Sequence, residues 1–253
     1  MSLMSRFEVY CRKRIAQRLS RKPASRVSPL PIVSFTFDDF PRSAFTVAGA
    51  MLMESGLRGT YYASMGLMGQ QTIRGENCRA ADLQTLVEQG HELGCHTFSH
   101  LYCLRATASE VRRECEQNRL AAADVLGGYR LRNFSFPSGV ATRTTKSELA
   151  STYDSCRTVE HGINRSPVDL AFLRANPLYS RNPISDVHRL IAENAKQAGW
   201  LILYTHDVSP QPSEVGCTPS YFRDTLGSAV ASGARIMTVA EAVSQFQLQA
   251  DRG

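Results

Sequence analysis

Short apolar runs recur along the chain between longer stretches of mixed polarity. The run Ile32–Phe37 is rich in β-branched and aromatic residues and ends at two aspartates, a pattern typical of a buried strand. Similar runs predict further strands at Gly59–Ser64, His91–Thr97, Arg132–Phe136, Tyr153–Val159, Trp200–Thr205 and from Arg235.

Helical patterns fill the intervals between these runs. Thr107 and Glu110 form the T-x-x-E pattern of a capping box, which predicts a helix from there to about Leu126. Other predicted helices are Ser43–Ser55, Ala80–Gln89, Thr144–Ser151, Ile184–Ala198 and Pro219–Ser232. This alternation favours a parallel sheet with right-handed crossovers. About seven or eight such units predict a deformed, TIM-like (β/α) barrel of the α/β class, with its chemistry where strands end and loops begin.

Charge is distributed unevenly along the chain. Eight of the 29 basic residues but only one of the 23 acidic residues fall in residues 1–26, so the basic balance belongs to that segment. We therefore predict a basic N-terminal arm at residues 1–28 and a single barrel domain at residues 29–253. The body has no basic patch interleaved with aromatic residues, so nucleic acid is not expected as a partner.

The basic arm has an amphipathic pattern. In a helix, Phe7, Cys11, Ile15 and Leu19 would lie along one stripe, with arginines covering the other faces. Two interpretations remain open. The arm packs on the domain with its arginines in solvent, or residues 4–26 make a peripheral contact with an anionic membrane surface.

Cysteine usage and hydropathy indicate the compartment. The seven cysteines include no C-x-x-C pair, which is typical of reduced thiols. The N-terminus lacks the apolar core of a secretory signal, and no run approaches the roughly 18 apolar residues of a membrane span. We expect a soluble, cytoplasmic protein, with contact at the inner membrane face as the alternative.

Three predicted strand ends carry residues that suit metal-assisted hydrolysis. They are Thr36–Asp39, His96–His100 and Tyr204–Asp207. Side chains of neighbouring strand residues diverge, so Asp38 and Asp39 are expected to take different roles. Two imidazoles separated by four residues, together with one carboxylate, suit zinc, iron, cobalt or nickel and leave positions open for water and substrate.

These motifs resemble those of a known family. Thr-Phe-Asp-Asp at 36–39, His-Thr-Phe-Ser-His at 96–100 and Leu-Ile-Leu-Tyr-Thr-His-Asp at 201–207 are similar to the first, second and fifth motifs of polysaccharide deacetylases, the NodB-homology domains of carbohydrate esterase family 4. The resemblance covers about residues 31–243. It implies one divalent metal, zinc first, with cobalt, nickel, iron or manganese as alternatives. The residues it implies are Asp39, His96 and His100 as ligands, Asp38 as general base and His206 as general acid.

The third motif of that family is only partly present. Its turn is preserved at 137–139, so the resemblance implies that the Ser138 backbone N–H donates to an oxyanion. Ser135 occupies the position of the family's arginine, which pairs with the catalytic aspartate. Arg157, on the following predicted strand, is expected to bring a guanidinium to Asp38 instead.

The resemblance implies hydrolysis of an N-acetyl group on an amino sugar. A cytoplasmic location favours a nucleotide-linked or lipid-linked precursor of a cell-surface glycan. Two alternatives stay open, an amide or cyclic-ureide hydrolase on the same barrel and a catalytically silent, glycan-binding member. The missing arginine favours the silent member, whereas the retention of Asp38 and His206 opposes it. Phe40 is a further departure, since it stands where the family commonly has glycine.

Overall fold

A computed structural model describes residues 14–19, 21–27 and 29–248 of the chain. In chain order, its strands are β1 (Pro23–Arg26), β2 (Ile32–Phe37), β3 (Thr60–Ala63), β4 (Gln71–Thr72), β5 (Gly75–Glu76), β6 (Glu92–Cys95), β7 (Asn133–Ser135), β8 (Ser155–Arg157), β9 (Val168–Asp169), β10 (Asn176–Pro177), β11 (Trp200–Thr205), β12 (Arg235–Ile236) and β13 (Phe246–Leu248).

The helices alternate with these strands, as predicted. They are α1 (14–18), α2 (Ala50–Glu54), α3 (Ala80–Glu88), α4 (Ala108–Val125), α5 (Arg143–Thr152), α6 (Ile184–Gln197), α7 (Pro219–Ala231) and α8 (Val239–Val243). A π-helix at Ala44–Gly49 leads into α2, and single 3-10 turns lie at Met65–Leu67 and Pro137–Gly139.

One curled parallel sheet forms the body of the protein. Its strand order is β10-β11-β2-β3-β6-β7-β8, and β12 also pairs with β2. An isolated parallel bridge between Arg157 and Leu173 joins the β8 edge to the segment that leads into β10. The predicted deformed (β/α) barrel is confirmed. The carboxyl ends of its strands lie at one edge, where a barrel carries its functional residues.

The central strands are buried on both faces, which explains why their sequences are apolar runs. Every residue of β2 and β11 is buried. Polar side chains among them are hydrogen-bonded, and Thr36 Oγ1 donates to Leu203 O at 3.0 Å. Likewise, Trp200 Nε1 donates to Ser34 Oγ at 3.0 Å. The six cysteines in the described part of the chain are free and buried, so they pack as small apolar side chains.

Residues 14–27, as far as they are described, pack against the barrel body. Strand β1 pairs antiparallel with β13 and β9. The buried Lys146 donates from Nζ to Ala16 O at 2.8 Å and pairs with Asp169 Oδ2 at 2.6 Å. Ala16 is buried whereas Ile15 is 49% exposed, so the stripe predicted through Ile15 is not the contact face here.

Several expectations about the arm stay predictions. Phe7 and Cys11 lie outside the described residues. The predicted boundary between arm and barrel at residue 28 is not tested by the packing of β1. Among the described residues, there is no helix with the length and apolar character that crossing a membrane requires.

Phe40 stands where the family commonly has glycine, and its backbone has a conformation that favours glycine. Its φ is 51°, in the left-handed region, yet its fully buried ring packs on Tyr61 with centroids 4.9 Å apart. Phe40→Gly should relieve about 1–2 kcal/mol of backbone strain but lose the roughly 3–5 kcal/mol of a buried aromatic ring. We expect a net destabilisation of about 2 kcal/mol in urea unfolding. Phe40→Ala should be less stable still, and a glycine variant more stable than the parent would contradict this balance.

Candidate active site

Three predicted ligands converge at the carboxyl ends of β2 and β6. Asp39 Oδ1 lies 3.4 Å from His96 Nε2 and 3.3 Å from His100 Nε2. The three ligand atoms all lie within 4.8 Å of one another. Asp39 Oδ1 is buried, has no hydrogen-bond partner among the described residues and faces two imidazole nitrogens. One carboxylate and two imidazoles fit a divalent metal of the zinc type.

Neighbouring groups orient two of these three side chains. His96 Nδ1 is 2.8 Å from Ser135 O, an arrangement that leaves the Nε2 lone pair free for a metal. Arg74 Nη1 donates to Asp39 Oδ2 at 2.8 Å, so the opposite oxygen, Oδ1, faces the imidazoles. Because Arg74 binds Oδ2 and the imidazoles face Oδ1, this arrangement favours metal coordination by Asp39 through Oδ1 alone.

Backbone strain is concentrated at this edge of the barrel. Asp39, Thr97, His100 and Ser138 all have φ between 58° and 60°, in the left-handed region that non-glycine residues rarely adopt. Each such residue costs of order 1–3 kcal/mol unless its surroundings fix it, and such residues cluster at functional sites. Two of the four are candidate ligands. The surrounding structure therefore holds their backbones in a conformation that an unconstrained chain would rarely adopt.

Electrostatics make this cluster attractive to a cation. Burial and the charge of His96 lower the pKa of His100 to about 4, so its imidazole is neutral at pH 7 and free to coordinate. Burial alone would lower the pKa of His96, but the carboxylates of Asp39 and Asp38 outweigh it and raise that pKa. Burial would likewise raise the pKa of Asp39, yet the facing imidazoles lower it. Positive charge is therefore stabilised between these groups.

The expected contact between Arg157 and Asp38 is present. Arg157 Nη2 bonds both Asp38 Oδ1 and Ser135 Oγ, and the guanidinium is fully buried between the rings of Tyr62 and Tyr204, about 5 Å from each. Burial raises the pKa of Asp38, but Arg157 and the imidazoles of His96 and His206 together outweigh burial, so the net pKa is lowered. Asp38 is thus held ionised, as a general base requires.

The register of β7 and β8 explains how Arg157 reaches Asp38 although position 135 is a serine. Ser135 and Arg157 are paired Cα partners on the two neighbouring parallel strands. Because the serine is small, the guanidinium from the next strand can bond both the Ser135 hydroxyl and Asp38. The catalytic role of Arg157 remains a prediction.

His206 lies on the other side of the candidate ligands. Its Nδ1 is 3.1 Å from Val215 O, and its Nε2 is 3.9 Å from Asp39 Oδ2. With Nδ1–H donating to the carbonyl, Nε2 faces the site. Asp207 fixes the loop that supplies this carbonyl by accepting from Ser213 N at 2.7 Å. Burial lowers the pKa of His206.

Ser138 forms no hydrogen bond with this cluster among the described residues. It lies in the turn after β7, is exposed, and its backbone N–H has no hydrogen-bond partner in the part of the chain that the structure describes. An unpaired donor is compatible with the oxyanion role, which stays a prediction. Sequence reasoning missed two contributors, Arg74 and Glu114, because neither belongs to a motif.

Glu114 on α4 holds the loop that carries His100. Its Oε2 accepts from Ser99 N at 2.8 Å, from Phe98 N at 3.1 Å and from the Ser99 hydroxyl at 2.9 Å. We expect Glu114→Ala to weaken metal affinity about 10-fold or more, measured by competition with a chromogenic chelator. Glu116→Ala on the same helix is the matched control, since Glu116 bonds only the exposed Arg119 in the part of the chain that the structure describes.

The conservative variant Glu114→Gln separates position from charge. An amide oxygen still accepts the loop hydrogen bonds while the carboxylate charge is gone. Recovery of most of the affinity supports positioning of His100. Equal loss in the alanine and glutamine variants would attribute the effect to charge.

Comparisons with solved structures show the fold. The Xyl-CE4 domain of a multidomain xylanase from the hindgut metagenome of Trinervitermes trinervoides is 18% identical, with 85% of this chain and 91% of that chain covered and a TM-score of 0.56. A family 4 acetyl xylan esterase from Clostridium thermocellum, in complex with cobalt, is 19% identical, with 84% and 90% covered and a TM-score of 0.57. A protein from Bacillus anthracis described as a CE4 family pseudoenzyme is 10% identical, with 90% and 71% covered and a TM-score of 0.61.

Sequence comparison supplies the family. Among curated proteins, no sequence matches this chain significantly. The sequence model described as polysaccharide deacetylase, however, matches residues 26–153, half of the chain. That region includes the Thr-Phe-Asp-Asp and His-Thr-Phe-Ser-His motifs, whose side chains form the cluster described above. The chain therefore belongs to the polysaccharide deacetylase family.

Proposed function

We propose that the protein is a metal-dependent deacetylase that hydrolyses the N-acetyl group of an amino sugar. One observation carries this proposal. The buried Asp38–Arg157 pair lies beside a carboxylate and two imidazoles whose ligand atoms all lie within 4.8 Å of one another. Binding of a glycan alone requires no ionised, buried base at that place.

The chain's own residues divide the reaction between them. Ionised Asp38 accepts a proton from the attacking water, because Arg157 keeps its carboxylate charged and oriented. His206 Nε2 then donates a proton to the leaving amine, which departs poorly as an anion. The Ser138 backbone N–H is the proposed donor to the developing oxyanion. A divalent metal held by Asp39, His96 and His100 would lower the pKa of a bound water from 15.7 to about 7.

The finer assignments extend this proposal. Zinc is the first choice of metal, since two imidazoles and a carboxylate are common ligands for it. The substrate proposed from the sequence is a nucleotide-linked or lipid-linked amino sugar for cell-surface glycan synthesis. Cytoplasmic location and membrane contact through residues 4–26 also stay predictions.

The rival from outside enzymes is a catalytically silent, glycan-binding member. The absence of the family's arginine at Ser135 supports it. Arg157 weakens that support, because it brings a guanidinium to Asp38 from the next strand. Hydrolysis of a non-sugar amide on the same barrel remains the rival within enzymes.

Two measurements on the purified protein test the proposal. Elemental analysis after metal reloading should find close to one divalent metal per chain, with Asp39→Ala as the control that loses it. Acetate should then be released from at least one member of a panel of free, nucleotide-linked and lipid-linked N-acetyl sugars. Absence of stoichiometric metal would overturn the mechanism. Bound metal without acetate release from any N-acetyl sugar or simple amide would identify a silent member.

A further inference from the structure

Two of the buried cysteines are in contact with each other beside the candidate metal ligands. Cys95 is the last residue of β6 and immediately precedes the candidate ligand His96, whereas Cys115 lies on α4. The Cys115 thiol is hydrogen-bonded to the Cys95 sulfur, and the Tyr153 hydroxyl is within hydrogen-bond reach of both. Two thiols held in contact across two elements meet the first geometric requirement of a disulfide.

Asn118, one turn after Cys115 on α4, fixes this contact. Its side chain is fully buried, and its Nδ2 donates to Cys95 Sγ at 3.2 Å and to Ala63 O at 3.0 Å. Its Oδ1 accepts from Met65 N at 2.8 Å. Residues three apart on a helix share one face, so the face that carries Cys115 is held against the ends of β3 and β6.

The two cysteines enclose the segment that carries both candidate imidazole ligands. At one end, Cys95 adjoins His96. At the other end, Cys115 adjoins Glu114, whose carboxylate accepts two backbone hydrogen bonds from the loop that carries His100. A covalent bond between the two sulfurs would therefore act on the positions of both imidazoles, at His96 directly and at His100 through Glu114.

A cavity of about 250 Å³ between α4 and α5 gives small molecules access to this pair. Cys115 and Tyr153 line it, together with Arg112 and Arg119. The two arginine side chains are 67% and 49% exposed, so the cavity opens to solvent at its rim. Cys115 is 5% exposed and Cys95 is fully buried, which leaves the Cys115 side as the route to both sulfurs.

We propose that Cys95 and Cys115 are a reversible oxidation site, which a small peroxide such as hydrogen peroxide converts to a disulfide. One sulfur attacks a peroxide oxygen and breaks the O–O bond, and the other oxygen leaves as water with the thiol proton. The second sulfur then displaces the hydroxyl from the resulting sulfenic acid, and this hydroxyl leaves as water with the second thiol proton. Two electrons pass from the two sulfurs to the peroxide.

The disulfide should weaken metal binding. An S–S bond is about 2.05 Å long, far shorter than the separation of two thiols in contact, so its formation draws the end of β6 towards α4. His96 follows Cys95 directly and moves with it. We expect the oxidised protein to bind zinc about tenfold more weakly than the reduced protein. This consequence rests on the proposed function, because it takes His96 and His100 as metal ligands, whereas formation of the disulfide does not.

Peptide mapping and zinc titration of the full chain test both steps. The reduced, metal-free protein is treated with hydrogen peroxide, the peroxide is removed, and the remaining thiols are alkylated before digestion and mass spectrometry. One cross-linked peptide joining Cys95 to Cys115, with a mass loss of two hydrogens, is the expected product. Competition with a chromogenic chelator should show the roughly tenfold loss of zinc affinity, and dithiothreitol should reverse it.

Two cysteine variants locate the effect. In Cys115→Ala, peroxide should produce no cross-link and leave zinc affinity unchanged. Cys217→Ala, at another buried cysteine, should behave as the parent does. If the Cys115 variant does not fold, the peptide map of the parent still decides the pairing.

Three results would overturn the oxidation site. They are alkylation of both Cys95 and Cys115 after peroxide treatment, a cross-link from Cys95 to Cys103 instead, and a Cys95–Cys115 disulfide that leaves zinc affinity unchanged. Absence of zinc binding by the reduced parent counts against the proposed function, whereas the peptide map still decides whether the disulfide forms.

Discussion

Replacing Arg157 with glutamine should lower turnover by about 10²-fold or more and move the acidic limb of the pH–activity profile to higher pH. The guanidinium lowers the pKa of Asp38 against the effect of burial. Without it, the pKa of Asp38 rises, so the base is protonated over a wider range at low pH. The loss should therefore be larger at pH 6 than at pH 8. Steady-state kinetics across this range measure both effects, and metal content should stay at the parent level.

A double variant distinguishes this role from a purely structural one. Removing one partner of a buried ion pair costs about 3–5 kcal/mol, so circular dichroism must first show that the single variant folds. Ser135 and Arg157 are register partners, so Ser135→Arg combined with Arg157→Ser moves the guanidinium to the family's usual position. We expect this exchange to recover part of the turnover and the acidic limb.

Arg132→Gln is the matched control for these variants. Arg132 is exposed just before β7 and pairs with Asp154. It should keep parent kinetics. An unchanged acidic limb in Arg157→Gln, or no recovery in the exchange variant despite a folded protein, would contradict the assignment of Arg157.

The barrel could be predicted because its strands are buried on both faces. Ile32–Phe37 and Trp200–Thr205 were predicted with their observed bounds, since a fully buried strand has no polar alternation to confuse with other patterns. The helix Ala108–Val125 followed from the capping box of Thr107 and Glu110, which the structure contains. The two-residue strands β4 and β5 gave no such signal, because a hairpin of that length buries little and needs no apolar run.

The candidate site likewise has residues that could be predicted from the sequence and residues that could not. Asp39, His96 and His100 could be brought together from sequence because each follows a strand, and parallel strands end at one edge. Arg157 could be predicted by the same reasoning, because it lies on a predicted strand. Arg74 and Glu114 could not be found in this way. Arg74 lies at the tip of the unpredicted hairpin. Glu114 lies in the middle of a helix, on a face that the sequence pattern predicts to be exposed to solvent. Contacts made by long side chains depend on tertiary geometry that no local pattern encodes.

His206→Ala should reduce turnover by about 10²–10⁴-fold while metal stays bound, because His206 is proposed to donate a proton rather than to coordinate. Its Nε2 lies 3.9 Å from Asp39 Oδ2, outside the cluster of three ligand atoms. Burial lowers its pKa, so in the parent the protonated acid is lost as pH rises and activity should fall on the basic side. The variant should lose this basic limb, and added imidazole should restore part of the rate. His161→Ala, at an exposed histidine, should change neither limb. An empty metal site in His206→Ala would instead make His206 a ligand, and the leaving amine would then need another proton donor.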